Sequence, residues 1–219
     1  MTFPQQIKAV LFDMDGVLLD SERIWRTYSD DFWMDCGITK LPDELMGTIY
    51  GISMSEEHKI LTDAGLLHMN LEEYVQQYDT YAERVYSKAS LAQNLPQTLT
   101  QLQQSGLQLA IVTSSISPWI ELLLKQLPQQ KYFEHTLSVA DMPNLRPKPA
   151  PDGYNYLIKL MGLAAEQVIA VEDSNRGIKA AKAAGIYTVA SAEFIDESYN
   201  QEGFDQKIEK LEELITLLG

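Results

Sequence analysis

The run Ala9-Val10-Leu11-Phe12-Asp13-Met14-Asp15-Gly16-Val17 constrains this chain more than any other stretch. Ala9 to Phe12 is apolar with no charge inside it, which predicts a buried strand. The strand ends in two carboxylates one residue apart, followed by a glycine. Packing alone does not ask for Asp-x-Asp at the end of a core strand. Carboxylates held this close repel, so one carries a proton or both share a cation. The arrangement suits phosphoryl chemistry. One oxygen attacks phosphorus, the other carboxyl moves a proton, and Mg²⁺ holds the phosphate against both.

From about residue 90 onward the pattern alternates between helical and extended segments. Helices are predicted over Pro96 to Ser105, Pro118 to Gln126, Asp152 to Met161 and Asn175 to Ala184. Three of these are followed by glycines suited to C-terminal caps, Gly106, Gly162 and Gly185. Strands are predicted over Leu107 to Val112, His135 to Val139, Val168 to Val171 and Ile186 to Ala190. Phe204 to Leu218 reads as a closing amphipathic helix. Strands alternating with helices imply a parallel sheet covered on both faces. Residues 20–88 differ: they show no strand pattern and one proline, Pro42. Leu71, Tyr74, Val75, Tyr78, Ala82 and Val85 recur at helical spacing, and six of the eleven tyrosines fall in this segment. The expected architecture is therefore α/β. A parallel-sheet core of residues 1–19 and 89–219 carries an inserted helical bundle, residues 20–88, able to act as a lid.

Composition narrows the partners. A net charge of −14 argues against nucleic acid and anionic membrane surfaces. It also repels phosphorylated substrates at long range, so a phosphate site here needs a local cation. The single cysteine, Cys36, permits no intramolecular disulfide and no zinc motif, and is expected in bundle packing. No apolar run is long enough for a transmembrane helix, and Met1-Thr2-Phe3-Pro4-Gln5-Gln6 lacks the layout of a signal peptide. These absences lead to the expectation of a cytoplasmic protein, taken as a monomer.

Three further signals fall where the first demands them. Leu109 to Val112 runs into Thr113-Ser114-Ser115, a strand ending in hydroxyls. Lys148 lies in Arg146-Pro147-Lys148-Pro149-Ala150-Pro151-Asp152, a loop framed by prolines. Val168 to Val171 runs into Glu172-Asp173-Ser174, a second strand ending in paired carboxylates. Each has an ordinary explanation in isolation: a turn, a helix cap, a solvated lysine, a complement to a helix dipole. Ligands of open α/β sheets bind at the carboxyl ends of the strands, and three strands end in chemistry at that edge.

With these residues in this order, the whole chain resembles the haloacid dehalogenase superfamily of phosphotransferases. Its opening, Phe12-Asp13-Met14-Asp15-Gly16-Val17-Leu18-Leu19-Asp20-Ser21-Glu22, is similar to that of the β-phosphoglucomutase-like sugar phosphatases, the 2-deoxyglucose-6-phosphatase type among them. The resemblance implies a Rossmann-like core with a central first strand, flanked by the strands that carry Thr113 and Asp173, and a small α-helical cap. It implies Asp13 as nucleophile and Asp15 as acid and base. Mg²⁺ would be held by the Asp13 carboxylate, the Asp15 backbone carbonyl and the Asp173 carboxylate, with Glu172 behind them. Thr113, the Ser114 backbone N–H and Lys148 would bind the substrate phosphate. The expected partner is a small phosphorylated substrate such as a hexose 6-phosphate.

The mutase pattern is broken at two places. Trp25 stands where a mutase carries a histidine in the first cap helix. Met54 stands where it carries an arginine that grips the second phosphate. Hydrolysis is therefore favoured over mutase chemistry, which is the alternative. Trp25 is expected either on the apolar face of a sugar ring or in the bundle core, and the cap loop Gly47 to Met54 is a candidate for reading the leaving group. Pro96-Gln97-Thr98 also departs from the family's Pro-Gly-Val, at a turn. A dehalogenase needs neither Asp15 nor a metal. A signalling receiver domain carries its phosphoacceptor mid-chain and has no inserted bundle. A binding protein without activity would not keep a competent residue at every motif position. His58, His68 and His135 fall in no motif.

Overall fold

The computed structural model describes residues 4, 6–49, 52–128, 131–196 and 198–218. Residues 1–3 and 5, which carry part of the reading of the N-terminus, lie outside the described residues, as do Tyr50 and Gly51 of the cap loop. The chain divides into two compact units, Met1–Asp20 with Ser90–Gly219, and Ser21–Ala89.

The first unit is built on a six-stranded sheet. Its strands are β1 (Ala9–Phe12), β2 (Gln108–Thr113), β3 (His135–Ser138), β4 (Val168–Glu172), β5 (Tyr187–Ser191) and β6 (Gln206–Ile208). They lie in the order β3-β2-β1-β4-β5-β6, all parallel. Chain order reverses between β1 and β4, the point where open sheets of this kind leave a crevice at their carboxyl ends. Phe12 pairs with Ile111 on one side and Val171 on the other, so Asp13, Thr113 and Glu172 emerge at one edge. All four residues of β1 are fully buried. Helices of this unit are α5 (Leu95–Gln104), α6 (Ser117–Leu124), α7 (Asp152–Met161), α8 (Asn175–Ala183) and α9 (Glu213–Leu218). Leu11, Val112 and Ala170 of the sheet pack with Tyr154 and Ile158 of α7 and with Ala180 and Ala181 of α8.

The second unit holds α1 (Ser21–Asp35), α2 (Asp43–Ile49), α3 (Met54–Asp63) and α4 (Leu71–Lys88). Capping boxes open α3, through Ser53 and Glu56, and α4, through Asn70 and Glu73. Its core is aromatic. Phe32 meets Trp33, Tyr78 and Tyr81 at centroid separations of 4.9, 4.5 and 5.5 Å. Cys36 is buried in the same cluster, and burial followed by Glu57 pushes its thiol up to about 12. Trp25 packs edge-on against Tyr78 and Phe32, at 5.1 and 6.2 Å. Of its two expected places, the structure gives it the bundle core. No helix among the described residues is long and apolar enough to cross a membrane.

One expected element is wrong. Phe204 to Leu218 is not one amphipathic helix: Gln206–Ile208 forms β6 and the helix starts at Glu213. The edge of β5 offers unpaired backbone groups, and three residues of this segment take them, in the register Val189↔Gln206 to Ser191↔Ile208. Asp205 fixes the entry by accepting from Thr188 N at 2.8 Å and from the Lys182 ammonium at 2.5 Å. Neither partner is near Asp205 in sequence.

Candidate active site

Asp13 follows β1 directly, and its N–H donates to Val171 O at 2.9 Å, so it continues the sheet register for one more bond. The chain then turns. Gly16 N donates to Leu19 O at 2.9 Å with Gly16 at φ +77°, a conformation glycine adopts without penalty. A second reason for glycine is space: a Cβ here would stand 2.0 Å from Asp173 Oδ2. The loop backbone after Asp13 thus lies directly against the Asp173 carboxylate.

Lys148 reaches the same place from the loop before α7. Its buried ammonium stands 2.9 Å from Asp13 Oδ1, 2.6 Å from Glu172 Oε1 and 3.1 Å from Val112 O. These three acceptors engage the three N–H donors of the ammonium. To reach a phosphate oxygen, Lys148 must release one of them. Burial by itself disfavours the charged lysine, but Asp13 and Glu172 outweigh it and its pKa is raised. The loop that carries it is closed by Arg146, which forms a two-pronged contact to Asp152.

Glu172 is fully buried, and burial together with the neighbouring Asp13 charge raises its pKa. It is held by Lys148 and by the Tyr154 hydroxyl, which donates to Oε1 at 2.5 Å. Gly177 makes room for it, since a Cβ there would fall 1.8 Å from Glu172 Oε2. Ligand oxygens of Asp13, Glu172 and Asp173 lie within 4.8 Å of one another. Three carboxyl groups stand here against the one Lys148 ammonium, an excess of acidic groups that a bound cation would offset. An all-oxygen donor set is the kind that hard cations such as Mg²⁺ prefer. Lys148 and the Tyr154 hydroxyl both engage Glu172 Oε1, whereas Oε2 faces Gly177, buried without a hydrogen-bond partner among the described residues. The residues present therefore fit a Mg²⁺ ion.

On the β2 side, Thr113 is buried and its Oγ1 accepts from Ser115 N at 3.0 Å, leaving its own proton to donate elsewhere. Ser114 follows it, half-buried. The Asp15 carboxyl is not one of the clustered three: its Oδ2 accepts from Ser115 Oγ at 2.6 Å. All seven residues singled out from sequence, Asp13, Asp15, Thr113, Ser114, Lys148, Glu172 and Asp173, belong to the first unit and end or follow its central strands or lie in the loop before α7.

Sequence reasoning missed three contributors. Ser115 was visible in the hydroxyl run after β2, but nothing local pairs it with Asp15. Tyr154 gives no local signal, because it looks like an ordinary core residue of an amphipathic helix. Arg176, whose guanidinium donates to Lys148 O at 2.5 Å, lies among ordinary helix residues. His58 is a packing residue, with Nε2 3.0 Å from Met69 O.

A Rossmann-order sheet with acidic residues at its switch point and a four-helix insertion after the first strand defines a class of phosphoryl-transfer folds. The sequence profile of the haloacid dehalogenase-like hydrolases matches residues 10–191, and the chain belongs to that family. It is 30% identical over 192 residues to the phosphorylated carbohydrates phosphatase of Thermotoga maritima, covering 82% of each chain. It is also 30% identical over 196 residues to the phosphoglycolate phosphatase of Mannheimia succiniciproducens, covering 84% of this chain and 85% of that one. Among solved structures, CbbY from Rhodobacter sphaeroides in complex with phosphate superimposes with a TM-score of 0.76 at 22% identity, over 95% of this chain and 96% of that one.

Proposed function

We propose that this chain is a Mg²⁺-dependent phosphatase of small sugar phosphates, hexose 6-phosphates among them, working through an aspartyl-phosphate. That it is a phosphomonoester hydrolase rests on its family and on relatives named as phosphatases. The observation that carries the rest is the buried triangle of Asp13, Lys148 and Glu172 beside Asp173.

In this reading Asp13 attacks phosphorus as the bond to the leaving oxygen breaks, and Asp15 gives that oxygen its proton. Asp15 then takes a proton from the water that hydrolyses the aspartyl-phosphate. Ser115 holds the Asp15 carboxyl by its 2.6 Å hydrogen bond, which fixes where the proton is delivered. Thr113 and the Ser114 N–H hold phosphate oxygens, and Lys148 restrains Asp13 and offsets developing charge. The Asp13 and Asp173 carboxylates and the Asp15 carbonyl would hold Mg²⁺, which supplies charge neutralisation for the phosphoryl group. The helical unit is assigned the choice of leaving group. Trp25, packed against Tyr78 and Phe32, serves that unit's core.

The test is a panel of phosphorylated compounds with released phosphate as the readout, with Mg²⁺ and with excess EDTA. Hexose 6-phosphates, 2-deoxyglucose 6-phosphate among them, should lead, with phosphoglycolate in the same panel because several relatives are named for it. β-Glucose 1-phosphate with a trace of the bisphosphate should give free phosphate. Efficient conversion to glucose 6-phosphate would instead establish the mutase alternative, and full activity in EDTA would remove the metal from the reading.

A further inference from the structure

The segment after β5, residues 192–205, belongs to no motif, yet it fastens the turn between β4 and α8. Gln201 is buried, and its Nε2 donates to two backbone carbonyls at once, Asp173 O at 2.7 Å and Ser191 O at 2.8 Å. Two carbonyl acceptors require the amino group on that side of the amide. The other amide atom, Oε1, is buried without a hydrogen-bond partner among the described residues. Burying a glutamine with an unpaired oxygen is a poor way to fill space, since an apolar side chain of the same size would avoid the penalty. What this glutamine does is join the carboxyl ends of β4 and β5.

Neighbouring residues of the segment tie the same turn. Asn175 N, a free donor at the start of α8, finds the Tyr199 hydroxyl at 2.9 Å. Asn175 Nδ2 donates to Asn200 O at 2.8 Å, and Asn175 Oδ1 accepts from Glu202 N at 2.8 Å. Residues 199–202 thus form a strap over Asp173 to Asn175. A carbonyl fixed at Asp173 fixes the backbone from which its carboxylate projects toward Gly16 and Asp13.

We propose that Gln201 is a positioning residue for Asp173, and that the strap of residues 199–202 with Asn175 sets the affinity for the divalent cation. The inference rests on the metal reading given above. Groups one step behind a metal ligand typically change metal affinity by about 10- to 100-fold when lost. Gln201→Met keeps the volume and removes both donors, and Asn175→Ala releases the strap from its outer side.

The experiment measures Mn²⁺ binding to the substrate-free full chain by electron paramagnetic resonance, with urea unfolding alongside. Gln201→Met should bind one Mn²⁺ about 10-fold more weakly, and Asn175→Ala should shift in the same direction by less. High Mg²⁺ should restore turnover in both, with the substrate KM at saturating metal unchanged, which a merely structural defect would not produce. Wild-type Mn²⁺ affinity in folded Gln201→Met overturns the proposal. If that variant does not fold, Asn175→Ala decides in the same way. Asp173→Asn separates the two levels: wild-type Mn²⁺ affinity there overturns the metal reading itself, and the clamp with it.

Discussion

Lys148 Nζ stands 2.6 Å from Glu172 Oε1, with the carboxylate fully buried and the lysine nearly so. A buried charge stripped of its partner is strongly destabilising, by about 3–5 kcal/mol. Lys148→Met should therefore lower stability by about 3 kcal/mol and turnover on the order of 10²-fold or more. Tyr154→Phe removes only the second donor to Glu172. It should cost about 1.5–3 kcal/mol, as for hydrogen bonds to charged groups, and far less activity. Urea denaturation and steady-state turnover measured on both variants check the ordering. Near-wild-type turnover in Lys148→Met would exclude its assigned role.

Asp13→Asn should lose turnover on the order of 10³-fold or more, because the covalent nucleophile is gone. Intact mass after a short exposure to substrate should show a phosphorylated adduct in wild type under quench and none in the variant. A phosphorylated Asp13→Asn chain would place the nucleophile elsewhere.

Gly16→Ala should act on the metal by displacing the Asp173 carboxylate, with every proposed ligand residue kept. The added Cβ would meet Asp173 Oδ2 at 2.0 Å, and the backbone there has φ +77°. The carboxylate must move, so the Mg²⁺ concentration for half-maximal activity should rise by at least about 10-fold. An unchanged Mg²⁺ activation curve would show that the loop does not govern Asp173.

Glu57 gives the helical unit a pH dependence of its own. It is buried in α3, with the Tyr78 hydroxyl donating to it at 2.5 Å. Burial raises its pKa from 4.5 to about 7, against the pull of the Tyr78 and Tyr74 hydroxyls. The folded state then binds this proton more tightly than the unfolded chain. The stability it contributes is present below pH 4.5 and is lost as pH rises to about 7. At about 1.4 kcal/mol per pH unit the loss is roughly 3 kcal/mol. Glu57→Gln should flatten the profile over that window. Urea unfolding in a Trp119→Phe background, where only Trp25 and Trp33 report, is the measurement. A slope identical in both proteins would rule Glu57 out.

Much of this molecule was legible in the amino-acid sequence. Four uncharged apolar residues ending in Asp13 and Asp15 specify a central strand with a reactive end. The same pattern at Thr113 and at Glu172 and Asp173 specifies its two neighbours, because a parallel strand buried on both faces leaves only its end for polar chemistry. Helical periodicity across α4, and the glycines after α7 and α8, are local signals read within a few residues. What tertiary structure decided lies between residues distant in the chain. The edge of β5 turned Gln206–Ile208 into a strand, against the helical pattern around it. Ser115 turned to Asp15, Tyr154 to Glu172, and Gln201 to the carbonyl of Asp173. Each of those bonds joins groups 10 or more residues apart, and no local pattern records a partner that folding brings near. The sequence by itself determined which groups stand at the ends of the strands. The packing of the chain decided which neighbours hold them in place.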